Sequence, residues 1–302
     1  METNIKQVVL WNYKLHSHTH SYIHYAFKKA FEHMGYKTLW LDSKDNIKNI
    51  DFTNSLFIAA SQDENIPLRV DSYYVLHNCN MKKYDMIPYK HKLIIQVYTN
   101  DIINKVNEIP NNKLCFYLEN CLFMPWATDL LPHEIDENIK LVKDNKIKSK
   151  NIINFIGMTH NKWDNLKRIC MLNNIIYKEM GGYTGNNIES EKNMELIQES
   201  IIAPAIQTDW QTDKGYIPCR IFKNISYGKM GLTNNKTVYN LFDKKIIYDN
   251  SVFNLFKKGL LFEKMDCENK NKIIIPLMEN VRDNHTYLNR IKLIFWMFNK
   301  IL

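Results

Sequence analysis

The chain has 302 residues, of which 45% are hydrophobic and 12% aromatic, and it carries a formal net charge of +8 at pH 7. This length accommodates two domains of about 150 residues with a large buried core, and the apolar content excludes a wholly disordered chain. The positive charge favours an anionic ligand, a description that nucleotide-sugar phosphates, nucleic acid and anionic lipid headgroups all meet.

The six cysteines predict neither a zinc site nor a disulfide framework, because they form no CxxC pair and no repeating spacing. We therefore expect a reducing, cytoplasmic location. The first residues lack the apolar run of a signal peptide, and no stretch reaches about 18 apolar residues. The apolar segment at 291–302 allows at most peripheral contact with a membrane, and the other interpretation is a helix packed back across the domain boundary.

The N-terminal half predicts a sheet of mainly parallel strands with helices between them. No GxGxxG follows the first strand, so we expect no dinucleotide-binding fingerprint there. Gly35 is expected to end the first helix. The short β-rich runs that predict strands are residues 8–11, 37–41, 56–60, 73–76, 93–98 and 114–118.

Four histidines lie in and just after the loop that follows the first strand, namely His16, His18, His20 and His24. His20 and His24 are one helical turn apart, so together with His16 or His18 they could bind a metal. A histidine here is also suited to take a proton from an acceptor hydroxyl, because imidazole titrates at about pH 6.5. It could instead donate a hydrogen bond to a departing phosphate, or cap the helix and pack on Tyr22.

A change of pattern marks the boundary between the two halves. The segment FMPWATDLLP contains two prolines, and the charged run from Glu134 to Lys150 predicts a helix followed by an exposed hinge. We place the boundary at residue 148, which divides the chain into domains 1–148 and 149–302.

The C-terminal half alternates between strands and helices and predicts a doubly wound sheet with right-handed crossovers. Two further helices, at 273–281 and 285–298, are expected at its end. The five predicted strands are residues 152–156, 175–178, 201–205, 230–233 and 245–248.

The segment from Ile201 to Asn235 has the layout of a phosphate-binding βαβ unit, with a buried strand, a polar loop, a helix and a second buried strand. The helix is predicted from Tyr216, with Pro218 in its first turn and Gly228 at its end. An anion at the start of this helix would meet free N–H groups, the positive end of the helix dipole and Arg220. The alternative is an ordinary helix whose Arg220 pairs with a nearby carboxylate.

Three stretches carry a resemblance to glycosyltransferases of the GT-B fold. Residues 216–235, YIPCRIFKNISYGKMGLTNN, resemble that family's R-x-F-E-x-x-x-x-G helix, while 124–132 (MPWATDLLP) resemble its domain crossing and 284–291 (NHTYLNRI) its closing helix. The resemblance implies two Rossmann-like domains facing a cleft, with C-terminal helices crossing back. One departure is Lys223, where many members carry a Glu that takes the ribose hydroxyls.

The resemblance further implies a glycosyltransferase that moves a sugar from a nucleoside-diphosphate-sugar to a hydroxyl acceptor, without a metal or a cofactor. The acceptor domain is then the N-terminal one and the donor domain the C-terminal one. We expect a glycan or glycoconjugate as acceptor and no nucleic-acid partner. His16, His20 and His18, in that order, are the catalytic candidates.

Ten residues are the candidate donor contacts. Lys214 and Arg220 supply the positive charge that a leaving diphosphate needs when no metal does so. Trp210 either stacks on a base or sugar or packs into the protein core. Two asparagines could take the place of the missing Glu. The full set is Gly157, Thr159, Gln207, Asp209, Trp210, Lys214, Tyr216, Arg220, Asn234 and Asn235.

Two rival functions are consistent with the same chain. A nucleic-acid-binding protein would use the basic charge, although the basic residues are spread along the chain and are not interleaved with aromatic residues on one element. A sugar-nucleotide epimerase or hydrolase of similar fold would release free nucleotide without any acceptor.

Overall fold

The computed structural model describes residues 5–14, 19–59, 65–79, 81–99, 101–157, 164–180, 188 and 190–301. The chain forms two compact units, of which the first is Met1–Asp129 with Tyr287–Leu302 and the second is Leu130–Thr286. These limits differ from the boundary that we placed at residue 148. The reason is that the helix after residue 130 packs within the second unit, where Asp136 pairs with Arg282 at 2.7 Å.

Among its described residues, the first unit has one sheet and an α-helix near each end of the chain. Its strands are mostly short apolar runs, as expected for strands covered on both faces. Its elements are β1 (Gln7–Trp11), α1 (Thr19–His33), β2 (Thr38–Leu41), β3 (Ser55–Ala59), β4 (Tyr73–Leu76), β5 (Lys92–Gln96), β6 (Asn107–Ile109), β7 (Asn112–Leu118), β8 (Cys121–Phe123) and α10 (Tyr287–Ile301).

The strand order in this sheet is β2-β1-β3-β4-β5-β8-β7-β6. Strands β1 to β5 and β8 run parallel, which confirms the mainly parallel sheet predicted from the sequence. The antiparallel partner β7 was predicted as a strand, but β6 and β8 were not. Each of those two has only three residues, too few to show a periodic pattern.

Helix α10 packs on α1 within the first unit, so its apolar residues are used in the core. The ring of Tyr287 lies 4.6 Å from that of Phe27, and the ring of Phe295 lies 6.2 Å from that of Phe31. No helix in the described ranges is long and apolar enough to cross a membrane.

The second unit alternates between helices and short parallel strands. Its elements are α2 (Pro132–Lys143), β9 (Ile152–Ile156), α3 (Asp164–Leu172), β10 (Ile176–Met180), α4 (Ser190–Glu199), β11 (Pro204–Ala205), α5 (Asp209–Asp213), α6 (Cys219–Ser226), β12 (Leu232–Thr233), α7 (Lys236–Leu241), β13 (Ile247–Tyr248), α8 (Val252–Glu263) and α9 (Cys267–Asn284).

The five parallel strands of this unit form the pair β10-β9 and the triplet β11-β12-β13. The chain leading into β11 runs beside β9. There the Ile201 N–H donates to the Ile152 carbonyl at 2.8 Å, and the Asn154 N–H donates to the Ser200 hydroxyl at 2.9 Å. Because a serine side chain replaces a backbone partner, the ladder between β9 and β11 is interrupted.

Two local predictions near the start of α6 need correction. The helix begins at Cys219 with Pro218 as its N-cap, not at Tyr216, because the backbone of Pro218 is still extended. The polar loop before it contains the short helix α5, which Thr208 caps by accepting a hydrogen bond from the Gln211 N–H. A five-residue polar helix has no apolar periodicity by which the sequence could reveal it.

Lys229 is a buried lysine in the second unit, with only 4% of its surface exposed. Its Nζ donates to the Ser149 hydroxyl at 2.8 Å and to the Ser200 carbonyl at 2.6 Å. Burial lowers the pKa of Lys229 from 10.5 to about 8, an effect that the charge of Glu263 opposes and that of Lys270 reinforces.

Replacement of Lys229 by methionine is expected to change how stability depends on pH. Between pH 8 and 10.5 the unfolded chain holds a proton on this lysine that the folded chain has lost, so the free energy of unfolding rises with pH. The rise is about 3 kcal/mol at most. Urea unfolding at about pH 7.5 and pH 10 should show it in the wild type and in the exposed-lysine control Lys245→Met. An equal rise in the free energy of unfolding of Lys229→Met would contradict the assignment of the lowered pKa to Lys229.

Candidate functional site

The start of α6 and the carboxyl end of β9 meet at Arg220, the second residue of the helix. The N-cap Pro218 has no side-chain oxygen and makes no side-chain capping hydrogen bond. The Ile221 N–H donates to the Pro218 carbonyl at 3.2 Å, so the N–H groups of Cys219 and Arg220 are the ones that a ligand can use. An N-terminus of this kind, at the carboxyl end of a parallel strand, is a favourable place for an anion.

The guanidinium of Arg220 is held by the end of β9. One Nη2–H donates to the Ile156 carbonyl at 2.7 Å, and Cζ lies 4.5 Å from the centre of the Phe155 ring. Burial lowers the pKa of Arg220, although an arginine stays charged in proteins. Its side chain pairs with no carboxylate in the part of the chain that the structure describes. The carboxylate-paired alternative is therefore not observed, and the guanidinium has N–H donors left for an anion.

Gly157 provides the space that this arrangement needs. Its φ of +132° is a conformation that residues with a Cβ rarely adopt, and a Cβ at this position would overlap Nη2 of Arg220. The sequence predicted Gly157 as a point of close backbone approach. The group that approaches in the structure is the side chain of Arg220.

Gly157→Ala is expected to destabilise the protein and to displace Arg220. The positive φ costs about 1–3 kcal/mol for a non-glycine residue, and the new methyl group cannot coexist with Nη2 in its present position. Denaturant unfolding should reveal the loss, with Gly35→Ala as the control. Gly35 also has a positive φ, of +85°, but a Cβ added there would meet nothing within 4 Å. A smaller loss at Gly157 than at Gly35 would contradict the role of the Arg220 contact.

Three of the predicted donor contacts form a network of amides. Gln207 donates from Nε2 to the Tyr216 carbonyl at 2.8 Å and accepts at Oε1 from Asn235 Nδ2 at 2.9 Å. Asn234 donates to the Gln207 carbonyl and accepts from the Gln207 N–H, both at 2.9 Å. Asn235 also caps α7 by accepting from the Thr237 N–H. These side chains hold the loop before α6, and Tyr216 takes part through its backbone carbonyl.

The other predicted donor contacts lie on or beside α5. Asp209 is its first residue, Lys214 caps its C-terminus through the backbone, and Trp210 is 57% exposed. The indole of Trp210 is thus not buried in the core. Thr159 and the predicted glycine-rich loop at 181–187 lie outside the described residues.

A cavity of about 420 Å³ lies between α3 and β10 and includes none of the predicted contacts. Its lining residues are Lys167, Cys170, Met171, Ile175, Tyr177 and Glu179. Tyr177, which lines this cavity, lies close enough to Arg220 to interact with it electrostatically. Because none of the predicted donor contacts lines the cavity, we do not take it as the candidate site.

A second group of polar side chains lies in the first unit, where β1 and β4 end. We call His20, His24 and His77 the histidine cluster. The ring of His20 lies 5.9 Å from that of His77 and 5.5 Å from that of Tyr13. Because these residues follow the carboxyl ends of parallel strands, they occupy the edge at which open α/β sheets bind ligands.

His24 has a structural role in this cluster. Its side chain is fully buried, and Nδ1 lies 3.0 Å from the Asn12 carbonyl, to which Trp40 Nε1 also donates at 2.9 Å. Burial lowers the pKa of His24 to about 4, so the imidazole is neutral at pH 7. His24 therefore joins α1 to the end of β1 through the Asn12 carbonyl, which is not the helix capping that we gave as the alternative for the loop histidines.

His77 was not among the residues predicted from the sequence. It follows β4 directly, its Nδ1 lies 2.9 Å from the Ile95 carbonyl, and its ring meets that of Trp126 at 5.0 Å. A carbonyl can only accept, so Nδ1 carries the proton and Nε2 is left as an acceptor. Burial lowers the pKa of His77, which keeps this imidazole neutral. Its position at the end of a predicted strand was the available signal.

The remaining catalytic candidates, His16 and His18, lie outside the described residues. Within the described ranges, no three histidine, cysteine, aspartate or glutamate side chains come together as metal ligands. All six cysteines are free thiols.

No protein-family model and no curated protein sequence matches the chain. Solved structures do match it over nearly its whole length. An α-glucosyltransferase in complex with UDP has a TM-score of 0.63 at 10% identity and covers 97% of this chain and 99% of that chain. An α-glucosyltransferase in complex with UDP and a 13-mer DNA containing a central A:G mismatch has a TM-score of 0.67 at 9% identity and covers 97% of this chain and 99% of that chain. An α-glucosyltransferase in complex with UDP and a 13-mer DNA containing an HMU base has a TM-score of 0.64 at 10% identity and covers 98% of this chain and 100% of that chain.

At a sequence identity of 9–10%, the structural similarity to these glucosyltransferases establishes the fold alone. The chain has a mixed α/β architecture with a large sheet of mainly parallel strands, as in glucosyltransferases of the GT-B type. The predicted α/β class and the resemblance to the GT-B fold are confirmed at that level.

The expectation of a glycan acceptor and no nucleic-acid partner is contradicted by these comparisons, since two of the three matched glucosyltransferases are in complex with DNA. The basic residues were discounted because they are spread along the chain. That argument was wrong, because folding can bring residues from separate segments to one surface, where each can contact a phosphate.

Proposed function

We propose that this protein transfers a sugar from a UDP-sugar to a hydroxyl group on DNA. The observation that carries the proposal is Arg220, a partly buried guanidinium without a carboxylate partner among the described residues, at the uncapped start of α6. The comparisons support the proposal, because the matched glucosyltransferases are in complex with UDP.

The donor diphosphate binds in the second unit. Arg220 and the first-turn N–H groups of α6 hold the phosphate oxygens, and Lys214 adds a second positive charge. These groups act where negative charge develops as the bond from the anomeric carbon to the diphosphate breaks. Trp210 stacks on the uracil base, and no metal is required because the protein supplies the positive charge.

The acceptor hydroxyl reacts in the first unit at the histidine cluster. His20 takes the hydroxyl proton as the oxygen bonds to the anomeric carbon, and UDP leaves with the electron pair of the broken bond. His77 is neutral and has Nε2 as an acceptor, so it can orient His20 by accepting its N–H. The base then presents its other nitrogen to the substrate.

DNA as acceptor agrees with the net charge of +8. A protein that contacts several phosphates should bind DNA with an affinity that falls steeply as salt increases. The DNA-bound glucosyltransferases of the same fold are the second source of support.

The test is a transfer assay with labelled UDP-glucose and two duplexes of identical sequence, one with an HMU base and one with thymine. Label should enter the HMU duplex alone. Release of free sugar without DNA, at the rate found with it, would identify a hydrolase. Binding of both duplexes without any UDP binding or transfer would identify a nucleic-acid-binding protein.

The location of the donor is tested independently by cysteine alkylation. Cys219, the first residue of α6, is partly exposed, whereas Cys267 at the start of α9 is exposed. Saturating UDP should protect Cys219 from iodoacetamide and leave the labelling of Cys267 unchanged. Equal labelling of Cys219 with and without UDP would remove α6 from the donor site.

A further inference from the structure

Three consecutive residues at the carboxyl end of β9 contact one side chain, that of Arg220. The Phe155 ring lies under the guanidinium with 4.5 Å between its centre and Cζ, and the Ile156 carbonyl accepts from Nη2 at 2.7 Å. Gly157 leaves open the space in which a Cβ would overlap Nη2. A ring face, a carbonyl and a missing side chain together restrict the guanidinium to one position.

We propose that Phe155 is a positioning residue that holds the Arg220 side chain in the orientation that binds the donor diphosphate. The inference rests on the proposed function, because it assumes that Arg220 binds phosphate. Phe155 does not touch the donor itself. It acts through the attraction between a cation and the negative face of an aromatic ring.

The physical reason concerns the entropy of a long side chain. A free arginine samples many rotamers, and binding an anion with it costs the freedom that is lost on ordering. The Phe155 ring and the Ile156 carbonyl order the guanidinium before the ligand arrives. They occupy only one of its N–H donors and one of its two faces. The remaining donors keep a defined direction, which a bidentate contact with phosphate requires.

The alternative is that Phe155 is only a core residue, because it is 2% exposed. A core role predicts that its replacement lowers stability without favouring one ligand over another. A positioning role predicts a loss confined to the diphosphate. The two are separated by comparing UDP with uridine, which has the same base and ribose but no phosphate.

The experiment is a double-mutant cycle measured by calorimetry. Phe155→Leu should raise the Kd for UDP about fivefold to tenfold and leave the Kd for uridine unchanged. Added to Arg220→Ala, it should cause no further loss, because the residue through which it acts is absent. Phe256→Leu, a buried phenylalanine of the same unit without a cation on its ring among the described residues, is the matched control.

Three outcomes would overturn the inference. An equal loss for UDP and uridine, or an undiminished loss in the Arg220→Ala background, would reduce Phe155 to a core residue while leaving the donor site intact. Wild-type protein that binds UDP no better than uridine would remove the proposed function as well.

A second measurement avoids any dependence on whether the leucine variant folds. Phenylalanine analogues with one to four ring fluorines, introduced at position 155, weaken the negative face of the ring with little change in volume. The affinity for UDP should fall stepwise with the number of fluorines, and that for uridine should not. A flat series would contradict the positioning role.

Discussion

Replacement of Arg220 by alanine is expected to raise the Kd for UDP by about 10- to 150-fold, which corresponds to about 1.5–3 kcal/mol for a charge-assisted contact with phosphate. The thermal unfolding midpoint should change little, because the lost side chain is a partly buried cation without a carboxylate partner among the described residues. Calorimetric titration with UDP and with uridine measures the effect.

Two further variants make this test specific. Arg220→Lys keeps the charge but loses the planar fork, so its affinity for UDP should fall between those of the wild type and Arg220→Ala. Arg168→Ala removes an exposed arginine of α3 and should bind UDP like the wild type. Unchanged UDP binding by Arg220→Ala would exclude Arg220 from the donor site.

His20→Ala is expected to lower kcat by about 10²- to 10⁴-fold, the usual contribution of a general base, with the KM for the UDP-sugar unchanged. The affinity for the donor should be retained because His20 belongs to the first unit and the proposed donor contacts belong to the second. Steady-state kinetics at varied concentrations of the UDP-sugar measure both constants.

Variants of the neighbouring histidines assign the roles within the cluster. His33→Ala, an exposed histidine at the other end of α1, should be fully active. His77→Gln should lower kcat by a smaller factor than His20→Ala, because His77 acts through His20. Loss of kcat in His77→Gln with normal kcat in His20→Ala would transfer the role of base to His77.

The positions of the main elements were predictable because they depend on local periodicity. Strands β4 and β9 have the predicted limits, and Gly228 follows the end of α6 with a positive φ of +88°. Short polar elements such as α5 were not predictable, since five residues carry no period.

The candidate sites were predictable as residue types and only partly as contacts. Arg220 was identified from the helix pattern alone. The mutual hydrogen bonds of Gln207, Asn234 and Asn235 were not foreseen, because an isolated amide in a sequence reads equally well as a ligand contact or as a loop support. His77 was missed because its signal in the sequence was its position directly after a predicted strand, which many loop residues without a functional role share.

By itself, the sequence determined the α/β class, the order of most strands and helices, the excess of positive charge and the helix that begins near Arg220. These follow from composition and from patterns within about 20 residues. Tertiary structure alone decided what Arg220 contacts, because the Ile156 carbonyl is 64 residues away along the chain. It likewise brought His77 to His20 and buried Lys229. The physical reason is that hydrogen-bond partners and burial depend on long-range packing, which local periodicity does not encode.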